Sequence, residues 1–151
     1  MAEGIKIITS NRRARREYHI TETLEAGLAL RGTEVKSLRE GRANLQDAYC
    51  KVEGGKMFVL NMHISPYSHG NPNNHDPVRP RKLLLHKREI GKMKKATEQK
   101  GFTVIPLKLY FKNGIAKVEI GLARGKKLYD KRADIAERDT QRRLDRTLRQ
   151  F

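Results

Sequence analysis

The chain is short of the features that mark most enzyme and membrane classes. Its single cysteine, Cys50, excludes an internal disulfide and suits a reducing cytosol. No apolar run approaches the ~20 residues that a membrane span needs. Residues 1–10 hold Ile5, Ile7 and Ile8 but no long apolar stretch and no small-residue cleavage site, so no secretory signal is expected there. At 151 residues the length fits one domain plus a tail, or one slightly large domain, and excludes a two-domain enzyme with an interdomain cleft.

Catalytic groupings are equally thin. His19, His63, His69, His75 and His86 are the side chains that titrate near neutrality. His63, His69 and His75 are spaced six apart and Asp76 follows, but no HxxxH or CxxC pair supports a metal site. Gly125-Lys126-Lys127 lacks the spacing of a phosphate-binding Walker loop. Asp130, Asp134, Glu137 and Asp139 read as helix-pair partners rather than as a paired-carboxylate site. The expectation is therefore no catalytic residue, no metal and no cofactor. An RNA-processing enzyme built on His63, His69 or His75 is the contrasting class, and bound metal or turnover would separate it.

What the chain has in excess is positive charge. There are 33 Lys and Arg against 17 Asp and Glu, a net charge of +16. Such a chain repels itself unless a polyanion neutralises it, and RNA is the commonest cytoplasmic polyanion. No basic amphipathic helix with a broad apolar face argues for a membrane surface instead. The charge falls in islands: residues 11–20 set four arginines against Glu17, and residues 81–90, 91–100, 121–130 and 141–151 are also net positive. Residues 21–30 and 61–80 carry no positive excess.

Apolar alternation predicts a small β core. Asn113-Gly114 separates a strand carrying Ile105, Leu107, Leu109 and Phe111 on one face from a strand carrying Ala116, Val118, Ile120 and Leu122. Both turn residues tolerate positive φ, as a two-residue type I′ turn demands. Pro106, lacking an N–H, favours an edge or a bulge. A second hairpin turns at Gly54-Gly55, between Ala48, Cys50 and Val52 and Phe58, Leu60, Met62 and Ile64, which makes Cys50 a small buried hydrophobe. Tyr18, Ile20, Leu24, Ala26, Leu28 and Leu30 line one side of a long curved strand. Short helices are expected over residues 33–40, ended by Gly41, and residues 86–100, with Ile90, Met93 and Thr97 as a stripe and Gly101 as the stop. Residues 65–80 read as a long mobile loop. The expected fold is mainly β: a partly open Greek-key β-barrel of the oligonucleotide-binding (OB) type with two or three short helices. It spans residues 11–124, between a flexible arm over residues 1–10 and a basic tail over residues 125–151.

Of the 27 tail residues 14 are charged, and nine of these are Lys or Arg. Leu144, Leu148 and Phe151 form one helical face, and Asp134–Arg138, Asp139–Arg143 and Asp145–Arg149 are i, i+4 pairs worth about 0.2–0.5 kcal/mol each. That cannot hold a helix alone, so the tail is expected to coil only when a polyanion neutralises it. At its root Gly125 lets backbone approach a phosphate, Arg124, Lys126 and Lys127 can neutralise phosphates, and Tyr129 offers a stacking face. A second island, residues 79–88, places a triple leucine on the core and its flanking charges toward water or RNA. Glu25 lies opposite the apolar face of its strand, where it is either an exposed carboxylate or an acceptor for a base amino group or ribose 2′-OH.

These residues carry a resemblance. Residues 11–15 (Asn-Arg-Arg-Ala-Arg), residues 25–39 from Glu25 to Arg39, residues 81–85 (Arg-Lys-Leu-Leu-Leu), Gly125-Lys126-Lys127 and Asp130-Lys131-Arg132, in this order, resemble the SsrA-binding protein (small protein B) family of bacteria from about Asn11 to Arg132. The resemblance implies an OB-type barrel that catalyses nothing and serves trans-translation. It implies binding to the tRNA-like part of transfer-messenger RNA and delivery of that alanyl-charged RNA, with elongation factor Tu and GTP, to a stalled ribosome. The barrel would stand in for a missing anticodon arm, and the tail would turn helical in the empty message channel. By position, Tyr18, Glu25, Leu84 and His86 would face the tRNA-like domain. Arg124 and Gly125 would lead into Lys126, Lys127, Tyr129, Asp130, Lys131 and Arg132 at the small-subunit decoding centre and along the channel. A cytoplasmic monomer is expected. Another OB-fold translation factor or a ribosomal protein is the alternative in the same class.

Overall fold

A computed structural model describes residues 4–68, 74–99 and 101–125. Among these residues nine strands and three helices follow one another: β1 (Ile5–Ser10), α1 (Arg12–Glu17), β2 (Tyr18–Leu28), α2 (Gly32–Arg39), β3 (Ala43–Asn44), β4 (Tyr49–Glu53), β5 (Lys56–Leu60), β6 (His63–Ile64), β7 (Arg81–Leu84), α3 (Lys87–Thr97), β8 (Phe102–Lys112) and β9 (Ile115–Gly125). The main sheet runs β1-β8-β4-β5-β7-β2-β9, all antiparallel, and β9 also pairs with β8. That last pairing returns the sheet on itself as a barrel. The seam is thin, because the ladder between β4 and β8 has one rung, Cys50 opposite Val104. This is the expected partly open barrel.

The two anticipated hairpins form. Asn113 and Gly114 both take positive φ (51° and 80°), which lets the chain reverse in two residues between β8 and β9. Gly54 and Gly55 do the same between β4 and β5. The second helix starts one residue earlier than expected. The third runs Lys87–Thr97 with His86 as its N-cap and buries Ile90 and Met93.

Two expectations are corrected and one unanticipated element is added. Residues 5–10 are no free arm: β1 pairs with β8 from Ile5–Lys112 to Ser10–Lys108 and packs Ile8 on the core. The half of β8 that β4 does not reach would otherwise leave backbone groups unpaired. Second, a helix, α1, occupies the arginine-rich residues. Asn11 caps it, accepting from the Ala14 N–H at 3.1 Å, while its own amide donates to the carbonyls of Leu45 and Pro106 at 3.1 and 3.2 Å. Third, the long apolar faces do not stay on one side. A bulge between Pro106 and Lys108 turns Ile105 and Leu107 away from Leu109 and Phe111. A bulge between Ile20 and Glu22 likewise parts Tyr18 and Ile20 from Leu24, Ala26 and Leu28.

Each bulge flips the alternation, and the result is two cores. The larger fills the barrel, with Met57, Val59, Leu83, Leu109, Val118 and Ile120 among its members and Leu38 and Met93 closing it from α2 and α3. The smaller joins Ala14 of α1 to Ile105, Leu107 and Ala123, with Tyr18 and Ile20 against it. Gly121 lies near their junction: a Cβ there would sit 2.8 Å from Leu107 Cδ1 and 3.0 Å from Ile20 Cγ2, so only glycine lets those side chains rest on β9. Among the described residues no helix is long and apolar enough to cross a membrane.

Candidate nucleic-acid interface

Two concavities occupy different parts of the barrel surface. The first, about 960 Å³, lies between the β4–β5 turn and α3 and gathers Glu25, Leu84 and His86 under a rim that includes Lys56, Lys87 and Lys94. The second, about 570 Å³, is lined by Tyr18, Tyr49 and Phe102, with Arg13 of α1 and Gly125 at its edge. Three of the four residues expected to act together therefore meet, and Tyr18 stands apart. Tyr18 and Glu25 are seven residues apart on β2, about 20 Å at strand rise.

Local packing sets each side chain. Leu84 is 53 % exposed although apolar, because it faces outward from β7 opposite Gly27. A Cβ on Gly27 would come within 3.1 Å of the Leu84 Cβ, so the missing side chain lets Leu84 lie on the backbone of β2. His86 is exposed at the N-cap of α3, where its backbone N–H donates to Glu89 Oε1 at 3.0 Å. Glu25 is exposed yet not free. The Tyr110 hydroxyl donates to its Oε2, and Lys112 Nζ lies 3.5 Å from Oε1. The Tyr110 hydrogen bond, helped by the charge of Lys112, holds the Glu25 carboxyl below its ordinary value. Burial and the same hydrogen bond push the Tyr110 phenol up. An ionised carboxylate beside an exposed leucine and a lysine rim can meet RNA by accepting from a base or ribose, by apolar contact and by phosphate neutralisation.

At the second concavity the root of the tail is fixed by strand pairing. Arg124 lies opposite His19 of β2 and Phe102 of β8, and Gly125 lies opposite Tyr18. Lys126, Lys127, Tyr129, Asp130, Lys131 and Arg132, with the rest of the expected tail, lie outside the described residues.

The island over residues 79–88 needs correction. Arg81 does not face water or RNA. It is wholly buried, its Nε donates to Glu34 Oε2 at 2.6 Å, and its remaining nitrogens donate to the carbonyls of Met62, Asp76 and Pro77. Arg79 closes on the other Glu34 oxygen at 2.5 Å. Burial works against ionisation of Glu34, but donors from Arg79, the Arg31 backbone and Arg81 outweigh it and keep the carboxyl below its ordinary value. Leu83 alone of the three leucines is fully buried. His75 is also a structural residue. Its Nδ1 meets Thr33 Oγ1 at 2.8 Å and its Nε2 meets the Ile64 carbonyl at 2.9 Å, so neither ring nitrogen is left for a metal. His63 is exposed on β6, and His69 lies outside the described residues. Among the described residues no three His, Cys, Asp or Glu side chains could hold a metal ion together. Burial pushes the Cys50 thiol far up, which suits its place in the core.

Sequence reading missed Tyr110 as the partner of Glu25 and α1 as a platform. Asn11, a strong N-cap residue, was the signal for the helix. No local signal pairs Tyr110 with Glu25, 85 residues away.

A cationic OB-type barrel with lysine-rimmed and aromatic-lined concavities defines the class of nucleic-acid-binding barrels. The family described as SmpB protein matches residues 8–150. An SsrA-binding protein of Pelotomaculum thermopropionicum is 60% identical over 147 residues, covering 97% of this chain and 96% of the relative. One of Geobacillus thermodenitrificans is 57% identical over 145 residues, covering 96% and 94%. A solved chain described as "tmRNA-SmpB: a journey to the center of the bacterial ribosome" superposes with a TM-score of 0.69 at 52% identity, covering 82% of this chain and 87% of that one. The chain belongs to the SmpB family of SsrA-binding proteins.

Proposed function

We infer that this protein binds the tRNA-like domain of transfer-messenger RNA and serves trans-translation in the cytoplasm. The concavity holding Glu25, Leu84 and His86 grips the RNA. The barrel stands in for the absent anticodon arm, while the alanyl-charged RNA arrives with elongation factor Tu and GTP. At the other concavity, Arg124 and Gly125 lead a basic tail toward the decoding centre. There Lys126, Lys127, Asp130, Lys131 and Arg132 follow the empty message channel and Tyr129 stacks on a small-subunit base. Tagging of the nascent peptide and release of the ribosome follow. Tyr18, beside Gly125, belongs with the tail root rather than with the other three RNA-facing residues. The protein acts as a monomer and as an adaptor, without catalysis of its own.

One observation carries this reading: a chain 60% identical to an SsrA-binding protein over nearly its whole length gathers an ionised carboxylate, an exposed leucine and a lysine rim in one concavity. The test is to purify the protein with its bound RNA and sequence that RNA. One dominant small stable RNA is expected; a broad mixture would favour a ribosomal protein or another OB-fold translation factor. Truncation after Arg124 should spare most RNA affinity and abolish tagging, and equal loss of both would overturn the two-surface scheme. Stoichiometric metal or RNA cleavage by the purified protein would overturn the adaptor reading.

A further inference from the structure

Glu25 sits on β2, but its main partner is two strands away. The pairings place Leu84 opposite Gly27, Gly27 opposite Lys117, and Lys117 opposite Tyr110, one row across β7, β2, β9 and β8. Directly opposed residues in such a row point to the same side, and the exposed Leu84 marks that side as the outer face of the barrel. Glu25 lies one pleat along on this face, opposite Glu119. To reach it, the Tyr110 side chain must cross the outside of β9, and its hydroxyl then donates to Glu25 Oε2. Lys112, one pleat away on β8, approaches the other oxygen at 3.5 Å.

We propose that Tyr110 is a positioning residue for RNA recognition, fixing the Glu25 carboxylate, with the help of Lys112, as a double acceptor beside Leu84. Each carboxylate oxygen has two acceptor directions. One on Oε2 is taken by Tyr110 and one on Oε1 is approached by Lys112, which leaves one on each oxygen for a donor from outside. A lone glutamate on a strand would lose its side-chain freedom on meeting RNA; here that freedom is already spent in the free protein. Tyr110 is itself almost wholly buried, so it acts through Glu25 and not by touching RNA. The partner group is an N–H or O–H donor of the RNA, a base amino group or a ribose 2′-OH.

This inference rests on the reading that Glu25 faces the tRNA-like domain, and the test separates the two. The full-length chain, its Tyr110→Phe, Lys112→Met and Glu25→Gln variants, and each of the first two combined with Glu25→Gln, are titrated with a transcribed tRNA-like fragment of transfer-messenger RNA. Glu25→Gln should weaken binding about tenfold, the loss of one charge-assisted contact. Tyr110→Phe, which keeps the ring, should weaken it about three- to tenfold, and Lys112→Met by less. Neither should weaken it further once Glu25 is Gln. Lowering the pH should weaken binding as Glu25 protonates, and in Tyr110→Phe this decline should start at higher pH. The groups nearest Glu25 are Tyr110 and Lys112 from β8 and Lys117 and Glu119 from β9, and His86, Lys56, Lys82, Lys87, Glu89 and Lys94 share its concavity. A Tyr110→Phe loss of equal size in both backgrounds, or no loss in either, overturns the positioning role alone. A Glu25→Gln chain that binds like the wild type overturns the placement of Glu25 in the interface.

Discussion

Arg16 and Arg81 carry the same guanidinium in equally basic stretches and meet opposite surroundings. Arg16 lies exposed in the last turn of α1, a six-residue helix that buries only Ala14. Arg81 lies on β7 with no exposed surface, its donors divided between Glu34 and three backbone carbonyls. A count of positive charge therefore overstates the charge available to a polyanion. Some arginines are consumed as internal cross-links, tying the segment before β7 to α2, and only the remainder advertises for RNA. A buried pair of this kind stabilises little relative to an apolar pair, yet it is costly to break.

Substitution at each kind of arginine, and at the groups beside them, tests that contrast. Arg81→Ala should cost about 3–5 kcal/mol in urea unfolding, because buried Glu34 would lose one of its two arginines and the carbonyls of Met62, Asp76 and Pro77 would lose their guanidinium donor. Asn11→Ala, which removes the cap of α1 and the two amide donors that tie it to the barrel, should cost about 2–3 kcal/mol by the same measurement. Acid tests the carboxylates without mutation. Glu34 and Glu25 are both held below the ordinary 4.5 in the folded chain, so their contribution is complete above that value. It should fall away as pH drops through the lower folded values, since the unfolded chain takes up protons first. Melting temperatures measured from pH 7 to pH 3 should stay level down to about pH 5 and then decline. The smallest change in stability, within about 0.5 kcal/mol, is expected for Arg12→Ala with Arg16→Ala, both exposed. Any loss there should appear in RNA binding, as a salt dependence flattened by up to about 2 phosphate equivalents. A destabilised double variant would place those arginines with Arg81 instead.

Much of the barrel was legible because its signals are local. Asn113-Gly114 and Gly54-Gly55 mark their turns with residues that accept positive φ, and Ile90 and Met93 mark the buried side of α3. What was illegible depends on partners far along the chain. Alternation through Ile105, Leu107, Leu109 and Phe111 looks continuous, and only the bulge after Pro106 divides those residues between two cores. Strand β1 carries β-branched residues, but its membership in the sheet depends on a vacant edge of β8. Arg81 and Glu34, separated by 47 residues, look like ordinary surface charges until the fold joins them. Of the candidate site, Glu25, Leu84 and His86 were named through the family resemblance and share a concavity; the neighbourhood of Tyr18 could be assigned only once β2 and β9 were paired.

Strand β2 carries Glu25 near one end and Tyr18 at the other, and both stretches are locked by their pairing with β9. It therefore serves as a strut of fixed length. Whatever is seated at the leucine-bearing end is kept at a constant separation from Gly125, opposite Tyr18. Lengthening this strand by even one residue would invert the outward order of its side chains and spoil that gauge, whereas an added residue in the exposed Gly54-Gly55 turn would leave it untouched.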